Sequence, residues 1–322
     1  MKGLIADIGG TNARFALADT NGKVQQVKHF PCRDFPRLAD ACEAYLAELA
    51  ATEADFLRPR AAAIAVASPV DSDDVRMTNH VWSFSIEETR RQLQFDTLQV
   101  INDFVAVALG LPHLTDDDVL QVGSGIPVAR QPMAVLGAGT GLGVSAMLPT
   151  GLGWAPLSSE GGHVTAPAVN EREAAVLAVL RGHFGHVSAE RIISGPGLVN
   201  LSRAIAELDG VGIDPDLTPA DCTSRALDQS CHVSTEALNM FAAILGTVAA
   251  NLAVTLCSRG GVYIAGGIVP RLGEWFLTSP FRQRFEDKGR FGGYLAAIPT
   301  YVVTNSHPAF VGLASLVTGR GR

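Results

Sequence analysis

Two polar residues interrupt the apolar stretch LQVINDFVAVAL, which covers residues 98–109. Asn102 and Asp103 stand between a strand-like run and a second apolar run that is typical of a helix. A strand that ends at a site delivers its last residues there, so Asp103 could act as a general base that accepts the proton of an attacking hydroxyl. The same aspartate could instead cap a helix that begins at Phe104. These residues alone leave both roles open.

Glycine-rich turns follow predicted strands at three places, namely DIGGTN (Asp7–Asn12), GAGTG (Gly137–Gly141) and Gly266-Gly267. The first two lack the Gly-Lys-Ser/Thr of a Walker A loop, and each is followed by a strand instead of the helix of a dinucleotide-binding fold. Glycine allows several backbone N–H groups and a Thr hydroxyl to surround phosphate oxygens. We therefore predict phosphate binding at these turns, with Asp7 as a ligand of Mg²⁺, either directly or through water.

The apolar pattern also predicts the elements that must position these residues. In the first half it predicts strands over 3–9, 14–20, 23–30, 61–70 and 98–101 and helices over 35–50 and 104–111, with a two-residue type I′ turn at Asn21-Gly22. In the second half it predicts strands over 133–139, 142–148, 151–158, 261–267 and 298–304 and helices over 171–184, 197–208, 218–229 and 234–258. Both halves open with strand, glycine turn, strand, which predicts two α/β lobes joined within residues 111–132.

Composition and charge exclude several classes of function. A net charge of −7 argues against nucleic acid as a partner, because such binding needs a basic surface. The five scattered cysteines and the absence of an apolar leader after Met1 predict reduced thiols and a cytoplasmic location. Residues 237–257 carry no charge and are long enough to span a membrane, but they contain Asn239 and Asn251. They also lack a flanking Trp/Tyr belt or a basic cluster, so we expect a buried core helix and no membrane contact.

Six segments occur in an order that resembles one enzyme family, the bacterial ATP-dependent glucokinases. They are LIADIGGTNARFAL, INDF, GAGTGLGVS, EGGHV, SAERIISGPGLVNL and IAGGIVPR, and the resemblance extends from residue 3 to about residue 312. EGGHVTAPAVNERE contains no cysteine, so the chain resembles the zinc-free branch and no zinc is expected. The resemblance implies a two-lobed α/β fold of the actin/hexokinase-like (ribonuclease H-like) type with an interlobe cleft. It further implies a small lobe of residues 1–113 completed by 304–322, a large lobe of residues 114–303, and a homodimer.

The resemblance also implies roles for individual residues. Asp103 would be the base that takes the proton of the sugar hydroxyl while that oxygen attacks the γ-phosphoryl group of ATP. The sugar would be bound by Asn79, Asn102, Asp103, Glu160, His163 and Glu190. ATP would be bound by Ala6, Asp7, Ile8, Gly9, Gly10, Thr11, Asn12, Gly137, Gly139, Thr140, Gly141, Gly266 and Gly267, with Mg²⁺ at Asp7. Glucose and ATP are thus the expected ligands, and phosphorylation of glucose at O6 is the expected reaction.

Several alternatives stay open at this point. The substrate could be another hexose, since epimers differ only in the direction of one hydroxyl, and the phosphoryl donor could be polyphosphate or ADP. The chain could also be a sugar sensor that binds without turnover. A chaperone of the same superfamily is disfavoured, because it would need an additional peptide-binding domain and a linker. A filament protein is disfavoured, because it would not need Glu160, His163 and Glu190 together.

Overall fold

The protein is described by a computed structural model over residues 2–78, 80–151 and 153–319. It divides into two compact units. The first unit contains residues up to Thr115, Met147–Ser158 and residues from Asn305 onward; the second contains Asp116–Ala146 and Ser159–Thr304. The fold is the two-lobed actin/hexokinase-like α/β fold, as predicted.

Thirteen strands and eleven α-helices form the described chain. The strands are β1 (Gly3–Ile8), β2 (Asn12–Ala18), β3 (Val24–Pro31), β4 (Ala61–Val66), β5 (Asp74–Arg76), β6 (Ser83–Ser85), β7 (Thr97–Asn102), β8 (Val119–Val122), β9 (Met133–Ala138), β10 (Leu142–Thr150), β11 (Gly153–Leu157), β12 (Gly261–Ala265) and β13 (Thr300–Val303). The helices are α1 (Leu38–Thr52), α2 (Ile86–Gln92), α3 (Asp103–Gly110), α4 (Glu171–Phe184), α5 (Gly195–Asp209), α6 (Pro219–Leu227), α7 (His232–Leu256), α8 (Glu274–Thr278), α9 (Phe281–Glu286), α10 (Gly292–Ala296) and α11 (Pro308–Thr318).

The first unit is built on a five-stranded sheet with the order β3-β2-β1-β4-β7. Strands β1, β4 and β7 run parallel, whereas β2 is antiparallel to both β1 and β3. Apolar side chains fill the space between this sheet and α1, where the buried rings of Phe15 and Tyr45 stack at 5.5 Å. The carboxyl ends of the three parallel strands meet at one edge of the sheet, which is where ligands bind in open α/β sheets.

The second large sheet has the order β11-β10-β9-β12-β13-β8, with β9, β12 and β13 parallel. In the second unit, α7 packs against α5, α6 and α9. Its residues Phe241, Ile244 and Leu245 are fully buried, as is expected of a helix that is apolar on all sides. Helix α7 is the one helix among the described residues that is long and apolar enough to cross a membrane, but 78% of its apolar window is buried inside the protein. It is therefore a core helix, as predicted.

Two local predictions are wrong. The β2–β3 hairpin does not turn through two residues: its loop covers residues 19–23, Gly22 N–H donates to Asp19 C=O, and Gly22 has a φ of 75°. Asp19 explains the longer loop, because its carboxylate accepts hydrogen bonds from the backbone N–H groups of Asn21 and Lys23. Helix α3 begins at Asp103, not Phe104, and its N-cap is Asn102.

Candidate functional site

Asp7 lies near the carboxyl end of β1 and introduces the first glycine turn. Gly9 N–H donates to Asn12 C=O at 2.9 Å, which closes the turn between β1 and β2. Asp7 pairs with Arg14 across the two strands, and the Arg14 guanidinium donates to its carboxylate at 2.9 Å. Gly9 and Gly10 are partly exposed and Thr11 is exposed, so backbone N–H groups and a hydroxyl remain accessible here. Ala6 and Ile8 belong to β1 itself, and their side chains are fully buried in the core.

Asn102 and Asp103 lie at the same sheet edge as Asp7. In the parallel register Ile8 pairs with Val66, and Val66 pairs with Asn102. The Asn102 side-chain oxygen accepts hydrogen bonds from the backbone N–H groups of Phe104 and Val105 at 2.9 and 3.2 Å. Asn102 therefore caps α3, and the predicted capping role of Asp103 is wrong because Asp103 is already the first helical residue.

The pKa of the Asp103 carboxyl group is raised above its usual value. Burial, and then the negative charge of Asp7, raise the pKa of Asp103 to about 6. A hydrogen bond from Phe104 N–H at 2.9 Å opposes this shift because it stabilises the carboxylate. An acid–base group works best when its pKa is close to the operating pH, so Asp103 is suited to accept a proton.

Ser68 supports this edge and was not anticipated from the sequence. It is 3% exposed and follows β4, and its backbone carbonyl accepts a hydrogen bond from the Asn102 side-chain amide at 3.4 Å. Its hydroxyl accepts from Thr78 N–H at 2.7 Å and lies 3.2 Å from the Thr78 hydroxyl. The available signal was a hydroxyl residue directly after a buried strand. Asn79, the predicted sugar ligand that follows Thr78, lies outside the described residues.

Replacing Ser68 with Ala is expected to lower the free energy of unfolding by about 0.5–1.5 kcal/mol, because the backbone N–H of Thr78 loses the hydroxyl of a buried serine as its hydrogen-bond partner. Ser72→Ala is the matched control, since Ser72 lies in the same loop, is exposed, and only donates to Asp74 C=O. Urea-induced unfolding of both variants measures the difference. Equal stability of the two variants would show that Ser68 does not hold this loop.

In the second unit, the glycines of the two predicted phosphate-binding turns lie side by side. Strands β9 and β12 run parallel and pair Gly137 with Ala265, so the chain segments that follow them are neighbours. Gly266 has a φ of 87°, and a Cβ there would lie 2.3 Å from Ala138 C=O, so only glycine fits. Gly139 N–H donates to Gly141 C=O at 2.8 Å and closes the other turn, where Thr140 is exposed.

Glu160, His163 and Glu190 are brought together by pairing between two loops of the second unit. Ala189 N–H donates to Val164 C=O at 2.8 Å, which places Glu190 beside the bend that carries Glu160 and His163. The side chains of Glu160 and His163 are exposed, and His163 Nε2 lies 3.8 Å from a carboxylate oxygen of Glu160. Glu190 is less accessible, because one of its carboxylate oxygens accepts a hydrogen bond from Leu142 N–H at 2.9 Å.

The predicted site residues therefore form two groups, one in each unit. The first unit holds Asp7–Asn12, Asn102 and Asp103, and the second holds Gly137–Gly141, Gly266-Gly267, Glu160, His163 and Glu190. Each group combines a glycine turn suited to phosphate with side chains that can donate to or accept from sugar hydroxyls. The residues present also suit Mg²⁺, because a hard cation prefers carboxylate oxygens. The carboxylate of Asp7 lies close enough to Asp103 for its charge to raise the pKa of Asp103.

Known proteins resemble this chain over nearly its full length. The family model described as Glucokinase matches residues 4–319. A glucokinase of Paramagnetospirillum magneticum is 53% identical over 319 residues, which cover 98% of this chain and 97% of that protein. Other matched relatives are bifunctional proteins, of whose length this chain spans about half (48%).

Solved structures also resemble this chain over nearly its full length. The crystal structure of glucokinase from an Antarctic psychrotroph superimposes with a TM-score of 0.89 and 35% identity, and the match covers 99% of each chain. A ROK family glucokinase from Streptomyces griseus, solved with glucose and AMPPNP, superimposes with a TM-score of 0.65 and 18% identity over 98% of this chain and 99% of that one. At 18% identity, the similarity to the Streptomyces griseus protein is one of fold alone.

Proposed function

This chain belongs to the glucokinase family and is therefore an ATP-dependent hexose kinase, and we propose that it transfers the γ-phosphoryl group of ATP to O6 of glucose with Asp103 as the base. The observation that carries this assignment is the position of Asp103 at the carboxyl end of the sheet, with a pKa raised to about 6. The products are glucose 6-phosphate and ADP.

Asp103 would act on the hydroxyl at O6. A lone pair of O6 attacks the γ-phosphorus while the bond from that phosphorus to the bridging oxygen of ADP breaks, and the O6 proton passes to the Asp103 carboxylate. Phosphoryl transfer passes through a loose transition state, so alignment of O6 contributes more than strong basicity. The hydrogen bond from Phe104 N–H fixes one oxygen of Asp103, which leaves the other to receive the proton.

The sugar-binding residues differ in what they can offer. The oxygen of Asn102 is committed to the cap of α3 and one amide N–H donates to Ser68 C=O, so the second amide N–H is the group that can donate to a sugar hydroxyl. Glu160 and His163 are exposed, and a carboxylate can accept hydrogen bonds from two adjacent hydroxyls while an imidazole both donates and accepts. Glu190 can use the oxygen that Leu142 N–H leaves free.

Glycine turns would hold the phosphates of ATP. The N–H groups of Gly9 and Gly139 close their own turns, so those of Gly10, Thr11, Thr140 and Gly141 are the ones that can donate to phosphate oxygens. The exposed hydroxyls of Thr11 and Thr140 can add to them. Asp7 would hold Mg²⁺, which neutralises charge on the phosphates when it is bound. The Arg14 guanidinium keeps the Asp7 carboxylate oriented toward this edge of the sheet.

We extend the proposal to the assembly and location of the protein. The division into a small lobe (residues 1–113 with 304–322) and a large lobe (114–303) and the homodimer rest on the family resemblance. A cytoplasmic location is supported by the five cysteines, which are all free thiols.

The test is ADP release from Mg-ATP by the purified protein with a panel of hexoses. We expect turnover with glucose to exceed turnover with mannose, fructose and galactose by at least about tenfold in kcat/KM, since sites built on hydroxyl-directed hydrogen bonds discriminate strongly when one partner is lost. The position of the new phosphate is read by ³¹P NMR of the product. Preference for another hexose would change the assigned substrate. Sugar binding without ADP release would indicate a sugar sensor.

A further inference from the structure

One short segment of the second unit touches both the sugar-binding and the phosphate-binding residues. This connector segment, residues 190–195, begins at Glu190 and ends at Gly195, the first residue of α5. At its start, the Glu190 carboxylate accepts from Leu142 N–H at 2.9 Å. At its end, Gly195 N–H donates to Gly139 C=O at 2.8 Å. The connector therefore contacts the glycine turn 137–141 at Gly139 and the strand that follows the turn at Leu142.

The absence of a side chain at Gly141 permits the first of these contacts. A Cβ on Gly141 would lie 2.4 Å from the Glu190 carboxylate oxygen, far inside the contact distance. A hydrogen bond from a backbone N–H to a carboxylate is roughly twice as strong as one between neutral groups. Because a carboxylate has two oxygens, Glu190 can hold Leu142 N–H with one and accept from a sugar hydroxyl with the other.

Ser194 locks the two ends of the connector together. Its side chain is buried, with 2% of the residue exposed, and its hydroxyl donates to Glu190 C=O at 2.7 Å. The same oxygen accepts from Gly197 N–H at 3.0 Å and so caps α5. A movement of Glu190 is thus transmitted to the first turn of α5, whose Gly195 N–H holds the glycine turn.

We propose that the connector segment couples the two substrate sites, with Ser194 as a positioning residue; this inference rests on the proposed function. A sugar bound to Glu190 holds the Glu190 carboxylate in place, and this carboxylate holds Leu142 N–H. The glycine turn is therefore already ordered when the nucleotide binds. Two ligands that favour the same arrangement increase one another's affinity by the same factor. Glucose should therefore tighten nucleotide binding, and the nucleotide should tighten glucose binding equally.

The coupling factor is the ratio of the Kd of Mg-AMPPNP without glucose to its Kd with saturating glucose, measured by titration calorimetry. For the unaltered chain we expect a factor of about 5 or more. Ser194→Ala removes both bonds of the hydroxyl, and its factor should fall to within about twofold of 1. Ser202→Ala is the matched control, because Ser202 is a buried serine of the same helix whose hydroxyl only reaches Leu198 C=O and the Cys222 thiol. Its factor should stay at the level of the unaltered chain.

Each outcome separates the inference from the function on which it rests. If the unaltered chain binds neither glucose nor Mg-AMPPNP, the proposed function fails. If it binds both ligands and the coupling factor is near or below 1, the connector has no coupling role. The same conclusion follows if Ser194→Ala keeps the coupling factor of the unaltered chain. Should Ser194→Ala not fold, Ser194→Gly provides the second variant, because glycine is well tolerated at an N-cap and also removes both bonds of the hydroxyl. It too should lose the coupling.

Discussion

Replacing Asp103 with Asn is expected to lower kcat by about 10²–10⁴-fold while the Kd of glucose changes less than about threefold. The amide has the size of the carboxylate, and its oxygen can still accept from Phe104 N–H, so α3 and the neighbouring Asn102 keep their positions. An amide cannot take the proton of O6, so the loss falls on the chemical step and not on binding. Measurement of kcat by coupled ADP release, together with glucose binding by calorimetry, separates the two effects.

The pH profile and a surface variant complete this test. The carboxylate of Asp103 is the active form and its pKa is raised to about 6, so kcat/KM of the unaltered chain should fall as the pH drops through that value. The residual activity of Asp103→Asn should lack this acidic limb. Asp34→Asn, an exposed aspartate of the same unit, is the control and should leave kcat unchanged. An Asp103→Asn variant that keeps more than about a tenth of kcat would rule out the role of base.

Local structure around the candidate site could be predicted where it depends on neighbours along the chain. Helix α4 was predicted with its observed bounds, Glu171–Phe184, because Asn170 caps its start and Gly185 ends it at a φ of 70°. The glycine turns at 7–12 and 137–141 were predicted because strand patterns flank each of them on both sides. Only Asp103 was considered as the cap of α3, and the observed cap is Asn102; both residue types cap helices well, and the two adjacent positions differ only in where β7 ends.

Contacts between distant segments could not be predicted. Ser68 meets Thr78 and Asn102 only because β4 lies beside β7 in the sheet. The three-residue strands β5 and β6 pair only with each other and are too short to give a pattern. Glu190 was predicted to bind sugar, but its bond to Leu142 N–H joins residues that are 48 positions apart. Such pairings follow from tertiary packing, which composition and periodicity do not report.

A buried ion pair anchors the loop that carries Glu160 and His163. Glu173, in the first turn of α4, is 3% exposed, and its carboxylate lies 2.8 Å from the Arg284 guanidinium of α9. The same carboxylate accepts hydrogen bonds from Val169 N–H at 2.9 Å and from the Asn170 side-chain amide at 3.0 Å. All three partners donate hydrogen bonds, so a side chain that carries an N–H group does not suit the position of Glu173.

Replacing Glu173 with Gln is therefore expected to lower the free energy of unfolding by about 3–5 kcal/mol. The new amide places an N–H₂ group against donors and leaves the Arg284 charge unpaired in a mostly buried position, 16% exposed. Glu171→Gln is the matched control, because Glu171 belongs to the same turn of α4 but is exposed, and it should change stability by less than about 0.5 kcal/mol. Urea-induced unfolding gives both values.

A double variant distinguishes an unpaired charge from a simple loss of packing. Glu173→Gln combined with Arg284→Met removes both charges, and it should recover part of the stability that Glu173→Gln loses, since the cost comes mainly from the isolated guanidinium. The KM for glucose should follow the same order, because Val169 and Asn170 lead directly from the bend that carries His163. If Glu173→Gln were as stable as Glu171→Gln, the ion pair would contribute nothing to the loop, and the bend would have to be held by its pairing with residues 187–189 alone.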